Sequence, residues 1–386
     1  MKRAFIASLL AACSSPAAHA IETPDAAIDA PSVRPDAPAE TIAPLAIHGL
    51  GIQGFWFQWG NEAVLTAPLY TRQDMVDVTI NAPITRDDVA IDTGLAGEPL
   101  DQLIAVVSGH AHYDHFIDVP HILDVAPNAR AYTNLTGRHL LAALAPDRTG
   151  CTSAAATPVL DRARVVAMDD ALASHVDYTN CPDQRPDGAP MEGTWLEVSP
   201  HVRLKAFCSM HPAQVGPYHF GAGAIDQDQC DLPAAASGWL EGQTLAFLVD
   251  FLDDQGAPVY RMFYQDAPTN APSGHVPAAT LAEKPVDVAI LCVGSSDAVA
   301  DQPAAILANV QPRFALSGHW EDFFQPVGST APIPLLDVSG YTQRAQAALP
   351  GSADGLTIDG TPAAGRHVLV QPDSRFVVAP GVMLGE

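Results

Sequence analysis

The chain has 386 residues, enough for one large domain or two small ones, and 48% of them are hydrophobic, a globular share. No apolar run reaches the roughly eighteen residues that a membrane-spanning helix needs. With 19 Lys plus Arg against 44 Asp plus Glu, a formal charge of −25, its field repels polyanions, so nucleic acid is excluded as an expected partner.

Met1-Lys2-Arg3 followed by the short apolar stretch Ala4 to Ala12 has the pattern of a secretory signal over residues 1–20. Two exits are open. Leu10-Ala11-Ala12-Cys13 is like a bacterial lipobox, in which Cys13 would be acylated; Ala18-His19-Ala20 is an A-x-A cleavage site. Either route leads to the bacterial cell envelope, as a lipoprotein tethered to the membrane through Cys13 or as a periplasmic or secreted protein. Residues 21–45, rich in Pro, Ala and Asp and poor in aromatics, read as a semi-extended spacer that cannot pack a core.

The folded domain is expected over 46–386. Residues 52–59 are aromatic and β-like; Gly60-Asn61 then turns the chain and 63–66 returns. Residues 75–80 and 89–91 are expected to add strands, and the apolar run 103–107 reads as a buried one. A helix over 116–124, a strand over 130–132 and a helix over 136–144 follow, an alternation that indicates layered α/β architecture. Residues 145–193 form an irregular insertion with one strand at 164–168. Hairpins are expected from 195–198 with 202–207 and from 242–251 with 259–264, and strands at 286–293 and 313–316 around a helix near 298–310. A helix over 341–349 and a terminal hairpin around 367–378 close the chain. Of six cysteines, proximity pairs Cys151 with Cys181 and Cys208 with Cys230 in an oxidising compartment; Cys292 falls in a buried strand.

The chemistry concentrates in Ser108-Gly109-His110-Ala111-His112-Tyr113-Asp114-His115, which follows the strand at 103–107. Side chains two apart in extended chain share a side, so His110 and His112 can face one metal ion. Asp114 and His115, entering the next helix, can face a second. Imidazole and carboxylate at this density are a ligand set for zinc or another borderline divalent metal. Further ligands are expected at other strand exits: His211 after 202–207, Asp266 after 259–264 and His319 after 313–318. His219, Trp320 and Tyr218 are candidates for the substrate pocket.

The ordered series His-x-His-x-Asp-His, His, Asp, His resembles the metallo-β-lactamase-fold hydrolase superfamily over about residues 50–325. The resemblance implies a four-layer αβ/βα sandwich with two metals at one edge. It assigns His110, His112 and His211 to the first metal and Asp114, His115 and His319 to the second, with Asp266 bridging. Two divalent ions, zinc or alternatively manganese or iron, would make hydroxide available at neutral pH to attack an ester, lactone, amide or phosphodiester of a small-molecule substrate. Asp114 would orient that nucleophile and shuttle its proton. His319-Trp320-Glu321-Asp322-Phe323 is similar to the His-Trp-x-x-Phe of the branch containing ascorbate-phosphate lactonase and N-acyl-phosphatidylethanolamine phospholipase D. That branch has Gly-Asp-Thr where this chain has Gln265-Asp266-Ala267, and an Arg shortly after the His where this chain has Pro212-Ala213-Gln214. Two other classes stay open on this scaffold, an iron-dependent oxidoreductase and a non-catalytic surface-displayed binding protein. The full ligand set and the lack of an appended flavin-type domain favour hydrolysis.

Overall fold

The computed structural model describes residues 42–169 and 192–381. The signal segment with Cys13, most of the spacer, and Cys181 lie outside the described residues. The chain enters as a meander of β1 (Leu45–Gly51), β2 (Gly54–Trp59) and β3 (Glu62–Thr66). β1 is an addition to the expected strands. The segments at 75–80 and 89–91, expected as strands, are helices: α1 (Met75–Thr79) and α2 (Asp88–Gly94). Asp74 and Asp87 precede them and accept the N–H groups of Val76 and Ala90, so capping overrides the β-propensity of their valines and isoleucines.

β4 (Leu103–Val107), β5 (Arg130–Thr133) and β6 (Val165–Ala167) then run parallel to β3, with α3 (Tyr113–Phe116), α4 (Val119–Val125) and α5 (Leu135–Leu141) between them. The single helix expected over 116–124 is thus divided between α3 and α4. The second half of the chain supplies β7 (Leu196–Ser199), β8 (Val202–Cys208), β9 (Leu245–Leu252) and β10 (Pro258–Gln265). It continues through α6 (Ala278–Glu283), β11 (Val288–Cys292), α7 (Ala304–Val310), β12 (Phe314–Gly318) and α8 (Val338–Ala348). Four short strands end it: β13 (Leu356–Ile358), β14 (Thr361–Pro362), β15 (His367–Leu369) and β16 (Arg375–Val378). β15 and β16 are not the hairpin expected there. β15 pairs with β12 and β16 with β1, in different sheets.

One sheet has nine strands in the order β14-β13-β16-β1-β2-β3-β4-β5-β6, the other seven in the order β15-β12-β11-β10-β9-β8-β7. In β9, Leu245, Phe247, Val249 and Phe251 point into the core between the sheets, while Ala246 and Leu248 point outward to Leu307 of α7 and Tyr341 of α8. On the other flank Leu65, Leu103 and Val106 meet Ile122 and Leu123 of α4 and Leu140 of α5. This double-sided burial, with period two in each strand, makes a four-layer αβ/βα sandwich. Strands β8, β10, β11 and β12 share one direction, so their C-terminal ends line one edge. The Leu245 N–H donates to the Gly109 carbonyl at 2.8 Å and joins that edge to the exit of β4.

The disulfide expectation needs correction. Cys151 is bonded to Cys230, 79 residues away, and not to Cys181. Cys208 is disulfide-bonded as well, so the Cys208–Cys230 pair falls too. Sequence proximity misled because the loop carrying Cys230 packs beside α5: Gln229 N–H donates to the His139 carbonyl at 3.0 Å, and Arg148 donates to the Cys230 carbonyl. Cys292 is free and buried. No helix of the described residues is long and apolar enough to cross a membrane.

Candidate metal centre

The exits of β4, β8, β10 and β12 bring the seven expected ligands to one edge. His110, His112 and His211 form one group, Asp114, His115 and His319 a second, and His110, His115 and Asp266 a third; within each group the ligand atoms lie within 4.8 Å of one another. The first trio is packed ring against ring, with centroids 4.6, 4.8 and 4.9 Å apart.

Each ring of this trio has one nitrogen committed to an oxygen acceptor. His110 Nδ1 lies 3.1 Å from Asp266 Oδ1, His211 Nδ1 donates to the Pro212 carbonyl at 2.7 Å, and His112 Nε2 donates to the Gly221 carbonyl at 3.2 Å. Those oxygens can only accept, so the opposite nitrogens keep their lone pairs, as metal ligands must. His110 Nε2 is buried with no protein partner. In the second group His115 Nε2 and His319 Nε2 are 3.1 Å apart, with Asp114 Oδ2 at 3.5 and 3.4 Å from them. The donor set, the orphaned nitrogen and the convergence of the two groups fit borderline divalent cations.

Electrostatics agree. Burial, together with the neighbouring imidazoles, holds His110 and His211 well below the ordinary histidine range and lowers His112 and His115 to about 3. All four are therefore neutral at physiological pH, the form that binds metal. Burial would raise Asp114, but His115, His319 and His112 outweigh it and keep the carboxylate ionised. Burial does raise Asp266, against the opposing pull of His115 and the Gly109 N–H.

Backbone geometry builds the cradle. A Cβ on Gly109 would lie 2.2 Å from Asp266 Oδ1 and 2.4 Å from the Leu245 carbonyl, so only glycine allows Asp266 to accept the Gly109 N–H at 2.6 Å. His319 and Ile52 both adopt left-handed conformations, with φ of 56° and 53°, and the His319 N–H donates to the Ile52 carbonyl. For a β-branched residue that is a strained backbone, of the kind that collects at functional sites. Beside it the Gln53 amide donates to the Gln265 carbonyl at 2.8 Å, so one turn braces the bases of both His319 and Asp266.

His219 stacks on His211, with centroids 5.4 Å apart, and lies 2.6 Å from Glu241 Oε2. Glu241 is also 3.9 Å from His112 Nε2. Sequence reasoning missed Glu241, which sits in no motif and reaches the centre only through tertiary folding. Trp320, expected as a pocket wall, is buried in the outer core with its indole N–H donating to the Val370 carbonyl at 2.7 Å, so it faces packing and not substrate.

No family profile matches the sequence, and no curated protein does. Solved structures similar in fold include the metallo-β-lactamase fold protein YhfI from Bacillus subtilis, at 11% identity and a TM-score of 0.44, covering 86% of this chain and 99% of that one. The metallo hydrolase Igni18 from Ignicoccus hospitalis has 12% identity and a TM-score of 0.46 over 86% of this chain and 98% of its own. CmlA, a diiron β-hydroxylase from Streptomyces venezuelae, has 10% identity and a TM-score of 0.43 over 87% of this chain and 54% of its own.

Proposed function

We propose that this chain is an exported, dinuclear metal-dependent hydrolase of a small-molecule substrate. The single observation that carries the reading is the pair of adjoining ligand groups, His110/His112/His211 and Asp114/His115/His319, set at one sheet edge with Asp266 between elements of both. When bound there, two divalent cations would acidify water and polarise the oxygen of an ester, lactone, amide or phosphodiester. The chain's own residues do the rest. Asp266 fixes the His110 ring and the Gly109 backbone, and Glu241 fixes His219 against His211. Asp114, ionised and 14% exposed at its side chain, is the group placed to orient a nucleophile and accept its proton.

Zinc is the metal we favour, from the mixed imidazole and carboxylate set. Export is supported by the basic, then apolar, start of the chain and by the Cys151–Cys230 disulfide, a bond that persists in oxidising compartments. Tethering through Cys13 belongs to the same proposal, and nucleic acid is not a partner in it. Metal analysis of the full chain, paired with a panel of lactones, thioesters, β-lactams and phosphodiesters, tests the reading. Chelator-sensitive turnover of one class supports it. A centre filled with iron that hydrolyses nothing would transfer the protein to the oxidoreductase class.

A further inference from the structure

Each ring of the first ligand group is held by an oxygen acceptor, but His319 in the second group is not. Its Nδ1 is buried with no protein partner, and its ring rests edge-on against Phe323, with centroids 5.6 Å apart. Metal-binding histidines almost always have their other ring nitrogen held by an outer group, so the direction of this one must be fixed in another way. It comes from the backbone, which is left-handed at His319 and faces a second left-handed residue, Ile52.

Glu321 reaches into this turn. It is 3% exposed and belongs to none of the ligand groups. Its Oε2 accepts the Trp320 N–H at 3.1 Å, and the carboxylate also accepts the Ile52 N–H. The Ile52 carbonyl in turn takes the His319 N–H, so both main-chain polar groups of Ile52 are bonded to the segment 319–321. Beyond the turn the chain is pinned, with the Asp322 N–H on the Ala331 carbonyl at 2.7 Å and the Ile333 N–H on the Trp320 carbonyl at 2.9 Å. On the other side lies Arg72: burial lowers its guanidinium, and Glu321 is the first of the carboxylates that oppose this. A buried carboxylate is costly unless its oxygens are occupied, and here they serve the main chain of a strained turn.

We infer that Glu321 is a positioning residue for the second metal. By accepting the Trp320 and Ile52 N–H groups it keeps the paired left-handed conformations of Ile52 and His319, and so aims His319 Nε2 to within 3.1 Å of His115 Nε2 and 3.4 Å of Asp114 Oδ2. The inference rests on the two-metal part of the hydrolase reading. A buried carboxylate beside the centre could also help a cation by its charge alone, and the two roles make opposite predictions.

Two conservative variants of the full chain separate them. Glu321→Gln keeps the reach and an acceptor oxygen but drops the charge, whereas Glu321→Asp keeps the charge and is one methylene shorter. Zinc is titrated calorimetrically into the metal-free proteins, each checked for folding by circular dichroism. The first ion is expected to bind alike in all three. The second is expected to bind Glu321→Asp about 10–100-fold more weakly than the wild type, the usual cost of losing a group that orients a ligand, and to bind Glu321→Gln close to the wild type. A second readout needs no metal. Hydrogen–deuterium exchange of the metal-free chains should show the Ile52 and Trp320 amides protected in the wild type and Glu321→Gln, and exchanging freely in Glu321→Asp. Weakening in Glu321→Gln as large as in Glu321→Asp would make the effect one of charge and overturn the inference. Equal loss of both ions in Glu321→Asp, or free exchange of the two amides in the wild type, would overturn it too. Ester turnover by a wild type whose second ion binds no better than in either variant would keep the hydrolase reading and sink this one; the expected order of affinities without any turnover would do the reverse.

Discussion

Asp266 is the residue on which the centre's geometry turns, since one oxygen holds the Gly109 N–H and the other the His110 ring. Asp266→Ala is expected to weaken metal binding by about 10–100-fold, the usual cost of removing a carboxylate that orients a ligand, measured by competition with a coloured chelator. Gly109→Ala should be worse, because its methyl would meet both Asp266 and the Leu245 carbonyl and has no space to relax. Thermal unfolding should show a lower Tm together with lost metal. Away from the centre, His367 offers a separate test by pH. It is buried, 3.0 Å from Ser317 Oγ, and burial lowers it from 6.5 to about 4. Between those values the unfolded chain takes up the proton and the folded chain does not, so stability is full above about pH 6.5, falls progressively as pH drops from about 6.5 to about 4, and loses no more below that. Urea unfolding should show His367→Gln losing less stability than the wild type over that window, by up to on the order of 3 kcal/mol. Equal losses would mean that His367 is protonated in the fold.

Among the elements, the ends of the strands carried the legible information. A buried apolar run followed within a few residues by a histidine or aspartate is visible in the letters, and 103–107 before His110 is the clearest case. What could not be read depended on partners distant in sequence. Asp74 and Asp87 turn Val- and Ile-containing stretches into helices by capping them. β15 and β16 are neighbours in the chain, but one joins β12 and the other inserts between β1 and β13, a choice that no local pattern states. Glu241 and Ile52 act at the centre only because β9 and the β1–β2 turn arrive there. The placement of β16 makes a prediction: a chain ending before residue 367 loses the strand that joins β1 to β13 and should be recovered unfolded or insoluble. The Cys151–Cys230 bond ties the segment after α5 to the loop before β9. Cys151→Ser should cost about 2–4 kcal/mol by chemical denaturation, mainly by releasing a long loop in the unfolded chain. No change would mean that the bond spans regions already held together by packing.

For the molecule as a whole, a charge of −25 and a neutral histidine cluster serve different ends. The acidic charge balance repels polyanions, while strand ends from both sheets gather imidazoles, of which His110, His112, His115 and His211 stay unprotonated and ready for metal. The two-sheet sandwich explains why the ligands come from such separated parts of the sequence: β4 lies in one sheet and β8, β10 and β12 in the other. Function in this architecture is decided by the site and the loops around it. The most direct measurement is elemental analysis by mass spectrometry of the full chain beside His112→Ala and His319→Ala, each checked for folding by circular dichroism. About two divalent ions in the wild type and about one in each variant, with chelator-sensitive turnover lost in both, is the predicted result. A folded wild type that binds no metal above background, or variants that keep its full complement, would contradict the two-metal centre.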